Sequence, residues 1–402
     1  MSTTAAATLK YFPPMGIYET LFKFLDHCDK YMGTPGTHPW AQGFPLTTQI
    51  PGGPELPGFV EFGSEDLKYP QATGIAPLLE AIKNYYNHFY DANITEDNVA
   101  IFAGGRPGIF ATAAFLPEPY EFLIEEIEYT PYYDLLELLE RRYHIIPSNE
   151  QNAFAPNLDT YRETLKGAGE AGPKFFIKSN PCNPTGVTWN GETLKEFVDF
   201  LLENEHGGLI DEAYEFFNEA GPESALKYIP NIDDTNLFVS GAATKGLQVP
   251  GMRVGWLVAS KSNIEIFRNY SSIGMGGVAR PSQLYVSKLM EIERVTQARN
   301  AVVEFFNSQR EFYRKALSDL GIQLFSGTGG FYHWGKLPGE MNADEFNLKL
   351  FKHDAAILPG RLCDMRRLGE GGPANQFMRF SFGPLSADSR EEDVRILQEC
   401  LG

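Results

Sequence analysis

Cysteine is scarce in this chain: there are four in 402 residues, at positions 28, 182, 363 and 400. They are scattered and form no close pair, which argues against a disulfide framework and against a zinc cluster. That usage predicts a reduced protein of the cytoplasm. Cys28, Cys363 and Cys400 are expected to be buried as small apolar residues. Long hydrophobic runs are missing as well. No stretch is apolar for long enough to cross a bilayer, and Met1 to Phe12 shows neither the basic start nor the apolar middle of a secretion signal. Positive charge is in deficit: 34 Lys and Arg face 52 Asp and Glu, a formal net charge of -18. Such a surface repels phosphate backbones, so the charge argues against nucleic acid as a partner. Repeats and low-complexity tracts are absent too.

What is present is ordinary globular material. Hydrophobic residues make up 43% and charged residues 21% of the chain, enough apolar mass for a large core. Residues 13–58 are rich in Pro and Gly around one amphipathic helix, roughly Ile17 to Tyr31, with Phe22, Leu25 and Cys28 on its apolar face. From about 75 to 260, helical patterns alternate with short apolar runs. Leu78 to Tyr90 reads as a helix. Val99–Ala103, Phe175–Lys178, Gly208–Asp211, Leu237–Ser240 and Val254–Ala259 read as buried strands. This alternation predicts an α/β fold, with a large domain whose mainly parallel sheet is covered by helices on both faces. Such sheets bind ligands at the carboxyl ends of their strands. Beyond about 295 the pattern changes to a long helix, roughly Ile292 to Leu320, followed by the short runs Ile322–Phe325, Phe331–Trp334, Ala356–Leu358 and Phe377–Ser381. The expected organisation is a large cofactor-binding domain over 49–295 and a small α+β domain over 296–402, joined by the N-terminal segment 1–48.

Three segments at strand ends carry the chemical signal. Ser179-Asn180-Pro181-Cys182-Asn183-Pro184-Thr185-Gly186 doubles an Asn-Pro pair before a Gly, a rigid turn that can fix the Asn183 amide. Asp211-Glu212-Ala213-Tyr214 closes an apolar run with a carboxylate, which needs a cation or donors if buried. Taken on its own, such an Asp is better explained as an ordinary helix cap. Thr244-Lys245-Gly246 follows an apolar strand through a loop of small residues, where desolvation would lower the lysine pKa and make the amine nucleophilic. Arg253, before the next strand, could clamp an anion with its planar fork.

Taken together and in this order, the three segments resemble the fold-type-I pyridoxal-phosphate enzymes of the aspartate aminotransferase superfamily, the class I/II aminotransferases. The resemblance runs from about residue 45 to 385. It implies that Lys245 forms the Schiff base with pyridoxal 5'-phosphate and then shuttles the proton. It implies that Arg253 binds the cofactor phosphate and that Asp211 pairs with the pyridine nitrogen. Tyr214 and Asn183 match the donors to the ring oxygen, and Asn183 also touches the substrate carboxylate. Arg379, in Met378-Arg379-Phe380-Ser381, matches the arginine that grips that carboxylate. Gly104-Gly105-Arg106 occupies the phosphate-binding turn before a helix N-terminus, where free N–H groups favour an anion. Tyr133, in Thr130-Pro131-Tyr132-Tyr133, sits where an aromatic ring stacks on the cofactor. Tyr69, leading Tyr69-Pro70-Gln71-Ala72-Thr73-Gly74, matches the tyrosine that reaches the neighbouring subunit's phosphate, so a homodimer with shared active sites is implied. Gly52, in Pro51-Gly52-Gly53-Pro54, matches the glycine turn near the substrate.

The implied activity is transfer of an amino group between an amino acid and a 2-oxo acid. The same residues also serve β- or γ-elimination, cyclisation as in aminocyclopropane-carboxylate synthases, and amino-acid oxidation. A non-catalytic pyridoxal-phosphate-binding module is the remaining alternative. Two departures from the family pattern stand out. Ala242 occupies a position where relatives carry a phosphate-binding hydroxyl, and Arg106 stands where they commonly have a small hydroxyl residue. Arg106 either replaces the lost donors or faces substrate or solvent. The loop 269–277 also lacks the second arginine that dicarboxylate-specific relatives use, which argues against aspartate or glutamate as the dedicated substrate.

Overall fold

The computed structural model describes residues 16–169 and 173–402. The short apolar runs of the first part become a seven-stranded sheet: β1 (Val99–Phe102), β2 (Glu121–Glu125), β3 (Tyr143–Ile146), β4 (Lys174–Ser179), β5 (Gly207–Asp211), β6 (Leu237–Ala242) and β7 (Gly255–Val258). The spatial order is β1-β7-β6-β5-β4-β2-β3. The strands from β6 to β3 pair in parallel, whereas β7 runs antiparallel to both β1 and β6. Two of these strands, β2 and β3, were not expected from the sequence. Both faces of the sheet are buried, as continuous apolar strands require. Phe176 and Ile210 enter one hydrophobic cluster, while their neighbours Phe175, Ile177 and Leu209 enter another on the opposite face.

The later runs form a second sheet of four strands, β8 (Gln323–Leu324), β9 (Tyr332–Lys336), β10 (Leu358–Pro359) and β11 (Phe377–Ser381), in the order β10-β11-β9-β8. All its pairings are antiparallel. The segment before residue 48 packs onto this sheet. His38 bridges to Ala355, the Ser381 N–H donates to the Trp40 carbonyl at 2.8 Å, and the buried Trp40 ring lies 5.3 Å from Phe380. The 28-residue helix Ile292–Asp319 packs on β8 and β9 and, at Arg299, reaches Glu215 in the turn after β5. Among the described residues no helix is long and apolar enough to cross a membrane.

The first helix, Ile17–Cys28, ends three residues sooner than expected and buries a different face. Phe24 is fully buried against Phe351, with Ile17, Leu21 and Cys28 beside it, while Phe22 is 49% exposed. Stepping by three from Phe22 follows a line that drifts off the buried stripe; the 3.6-residue period runs through Ile17, Leu21, Phe24 and Cys28 instead. Cys182, Cys363 and Cys400 are buried and Cys28 is half-buried, all four as free thiols.

Candidate active site

The parallel strands deliver their last residues to one edge of the sheet. β4 ends at Ser179 and opens the Asn-Pro turn, β5 ends on Asp211, and β6 ends three residues before Lys245. Because β7 runs the other way, its entry residue Arg253 falls on that same edge. β1 ends there too and turns through Gly104 into the helix Gly105–Phe115. Between this edge and the second sheet lies a cavity of about 810 Å3, lined by Lys245, Asp211, Tyr214, Asn183, Arg253 and Arg379, with Gly105 and Arg106 beside them.

The Lys245 amine donates to the Gly43 carbonyl and sits 5.8 Å from the Tyr214 ring centre. Burial, reinforced by the positive charges of Arg379, Arg106 and Arg253, lowers it to about 7, against the opposing pull of Asp211. Asp211 is held from below: Tyr132 donates to it at 2.8 Å and the Ala213 N–H at 3.1 Å. Burial nevertheless raises its carboxyl above the usual range, as expected of an acid with no cation in contact. The Tyr214 and Tyr332 hydroxyls share a short hydrogen bond.

Arg379, on β11, donates from Nη1 to the Asn183 amide oxygen at 2.8 Å and from Nη2 to the Ala41 carbonyl at 2.5 Å. Its guanidinium lies over the Tyr332 ring at 4.3 Å, and its buried Nε has no hydrogen-bond partner among the described residues. Arg253, at a left-handed φ of 52°, is steadied by the carbonyls of Pro250 (3.0 Å) and Ala103 (3.3 Å). Gly104 makes room for it: a Cβ there would stand 2.2 Å from Arg253 Nη2. Arg106 reaches the cavity from the first turn of the helix and makes no hydrogen bond or ion pair among the described residues.

Two expected site residues, Tyr133 and Gly52, are not brought to this cavity, and Tyr69 was expected at the neighbouring subunit's site instead. Tyr133 faces away, its ring 3.9 Å from the Arg367 guanidinium and 5.8 Å from the Tyr143 ring. The helix begins at Pro131, so the roughly 100° step between successive residues turns Tyr132 in towards Asp211 and Tyr133 out. The aromatic residues that line the cavity from this segment are Tyr132 and Tyr129, the latter preceding the helix. Gly52 lies against the long helix, its carbonyl accepting from Gln297 at 2.9 Å. Gly43 takes the place at the cavity, and a Cβ there would come within 2.7 Å of the Tyr332 hydroxyl. Tyr69 is 92% exposed on the surface of this chain. Gly43, Tyr129, Tyr132 and Tyr332 escaped the sequence reading; a Tyr in Gly330-Phe331-Tyr332-His333 carries no local mark of its role.

A mainly parallel sheet whose strand ends bring a lysine, a buried aspartate and Arg253 together, facing Arg379 across the cavity, is the arrangement that the resemblance implied. The chain superposes on aspartate aminotransferase from Thermus thermophilus with a TM-score of 0.79 at 17% identity, covering 97% of both chains. In sequence it is 26% identical over 335 residues to an aspartate aminotransferase from Pyrococcus horikoshii, covering 82% of this chain and 81% of that protein. It is 24% identical to an LL-diaminopimelate aminotransferase from Natranaerobius thermophilus, covering 74% and 77%. The pattern that defines aminotransferase class I and II matches residues 51–391. The chain belongs to that family of pyridoxal-phosphate-dependent transferases.

Proposed function

We propose that this protein moves an amino group between an amino acid and a 2-oxo acid, with pyridoxal 5'-phosphate attached through the Lys245 amine. The observation that carries the reading is the Lys245 amine itself, lowered to about 7 in a cavity it shares with a buried carboxyl and three guanidinium groups. The cavity's donors suit an anionic cofactor and substrate: among the described residues Arg379 Nε and the Arg106 fork have no partner, and Gly104 keeps the space beside Arg253 clear. Arg253 and the N–H groups at the start of the helix Gly105–Phe115 would hold the phosphate. Asp211, kept in line by Tyr132 and the Ala213 N–H, would hold a proton on the pyridine nitrogen. Tyr214 and Asn183 would donate to the ring oxygen, and Tyr129 is the ring available to cover the cofactor's face. When bound, pyridoxal phosphate supplies the electron sink that makes an amino acid's α-proton removable.

The chain's own groups do the rest. Arg379 and Asn183 grip the substrate carboxylate and fix which bond at the α-carbon faces Lys245. The Lys245 amine, lowered to about 7, would take that proton from the α-carbon and return it on the far side of the amino nitrogen, two atoms along. Relatives carry the names aspartate and LL-diaminopimelate aminotransferase, yet the loop 269–277 offers no arginine. The two nearest are engaged, Arg268 with Glu265 at 2.7 Å and Arg280 with Asp66 at 2.9 Å. We therefore do not assign a dicarboxylate as the dedicated substrate. Arg106 is assigned to the phosphate, in place of the hydroxyl that Ala242 lacks. The exposed Tyr69 suits a homodimer in which it reaches the partner's site, and four free cysteines suit the cytoplasm.

The test is to mix holoenzyme with single amino acids and no acceptor. Pyridoxamine phosphate and a 2-oxo acid should appear in equal amounts. Ammonia release without pyridoxamine phosphate would instead mark elimination or oxidation.

A further inference from the structure

Behind the Asn-Pro turn lies a buried cluster that the transfer reaction does not use. Glu125 ends β2, Glu128 follows three residues on, Lys178 lies near the end of β4, and Cys182 belongs to the turn. Glu125 and Lys178 are 1% exposed and Glu128 and Cys182 not at all. One oxygen from each carboxylate and the Cys182 sulfur lie within 4.8 Å of one another, a spacing that would suit a metal ion. The place of a cation is already filled: Lys178 Nζ stands 2.5 Å from Glu125 and 4.2 Å from the Trp189 ring centre. One ammonium thus serves two carboxyls: it contacts Glu125 and attracts Glu128 only from further off, so Glu128 depends on hydrogen bonds as well.

Those bonds lead to the active site. Glu128 accepts from the Tyr129 N–H at 2.9 Å, from the Ser179 N–H at 3.2 Å and, in a short bond, from the Ser179 hydroxyl. A hydroxyl has a single proton, so giving it to Glu128 leaves its lone pairs facing the Asn183 N–H, 3.2 Å away. The Asn183 amide oxygen in turn receives Arg379 Nη1 at 2.8 Å. The Asn180 side chain pins the start of the same turn to Trp189 through two bonds of 2.8 Å, and the Cys182 N–H donates to the Val187 carbonyl at 2.9 Å; Ser179 adds the side-chain hold on the Asn183 N–H.

We propose that Glu128 is a positioning residue: through the Ser179 hydroxyl it fixes Asn183, and through Asn183 it sets the guanidinium of Arg379 to receive the substrate carboxylate. This rests on the assignment of Arg379 to that carboxylate. Burial and the neighbouring Glu125 charge raise the Glu128 carboxyl to about 8, so a neutral amide of the same shape can stand in for it near neutral pH.

The experiment compares two amines on holoenzyme, followed by cofactor absorbance. One is 2-methylalanine, which has the carboxylate but no α-proton; the other is isopropylamine, the same amine without the carboxylate. Glu128→Ala and Ser179→Ala should each weaken 2-methylalanine by about tenfold to hundredfold. Isopropylamine should stay within about twofold of its original affinity. The double variant should be no worse than the weaker single one, because one relay can be cut only once. Glu128→Gln should restore most of the affinity. Equal losses for both amines would reduce the cluster to support of the fold, and unchanged binding of 2-methylalanine would remove the relay; either result overturns the proposal. If Glu128→Ala does not fold, Ser179→Ala, which leaves the carboxyl in place, must show the selective loss by itself. Failure of the unaltered holoenzyme to bind either amine would instead sink the transfer reading, and the relay with it.

Discussion

Two clusters of buried charge in this protein are built on opposite plans. In the first, Glu215 accepts hydrogen bonds from the Tyr85 and Tyr90 hydroxyls, and Arg299 of the long helix reaches Tyr90 at 2.9 Å and Glu215 at 3.2 Å. The Arg299 guanidinium also lies 4.0 Å from the Phe89 ring centre. Among the described residues none of these side chains leaves a buried polar atom without a partner. In the second, Lys245, Arg106, Arg253 and Arg379 line one cavity with two carboxyls, and one of these, Asp134, is already paired with Arg367 at 2.8 Å. Arg379 Nε there is buried and has no partner among the described residues. The closed cluster ties the long helix to the first sheet's side of the molecule. The open one concentrates positive charge inside a protein of net charge -18, an arrangement that only an anionic ligand completes.

The contrast is strongest for substitutions that should cost activity in one cluster and stability in the other. Lys245→Ala should lower turnover by about 10⁴-fold while leaving the thermal midpoint of the cofactor-free protein undiminished, read by steady-state kinetics and calorimetry. Glu215→Ala or Arg299→Ala should do the reverse. Breaking a buried pair strands its partner and costs about 3–5 kcal/mol in denaturant unfolding, with kcat kept by the folded fraction. A pH series sharpens the comparison further. The Lys245 amine titrates at about 7 when folded and at the ordinary 10.5 when unfolded, so between those values the unfolded chain binds the extra proton. Stability of the cofactor-free protein therefore rises with pH across that window, and the penalty is complete at pH 6. Lys245→Met should raise the melting temperature most at pH 6, with the gain shrinking as pH climbs from 7 towards 10.5. The smallest effect belongs to the surface: Arg268→Ala removes a half-exposed pair with Glu265 and should shift stability by no more than about 0.5 kcal/mol. It should also leave turnover of aspartate, if any, unchanged.

Site residues were legible where chemistry and turn signals lie side by side in the chain. Asn183 between two prolines, Asp211 closing an apolar run and Lys245 in a small-residue loop each mark a strand end, and the parallel sheet brings strand ends together. Strands β2 and β3 were hidden because their partners are distant in sequence. Glu121 and Glu125 make β2 read as polar, yet each meets a lysine on β4, Lys174 at 2.7 Å and Lys178 at 2.5 Å, so charge is buried in register across the ladder. The reversal of β7 was hidden for a similar reason, since a short apolar run does not carry its direction. Tyr129 against Tyr133 and Gly43 against Gly52 are choices between neighbouring turns of like composition. Only the start of a helix at Pro131, and the approach of Tyr332 and Arg379 to Gly43, decide them.

The most direct measurement of the central claim is borohydride reduction of the purified holoenzyme, followed by peptide mapping. The account predicts a stable phosphopyridoxyl group on Lys245, and its loss from that peptide when a saturating amino acid is added before reduction. A label on any other lysine, or a Lys245 peptide that stays unmodified in protein carrying the coenzyme, would contradict it.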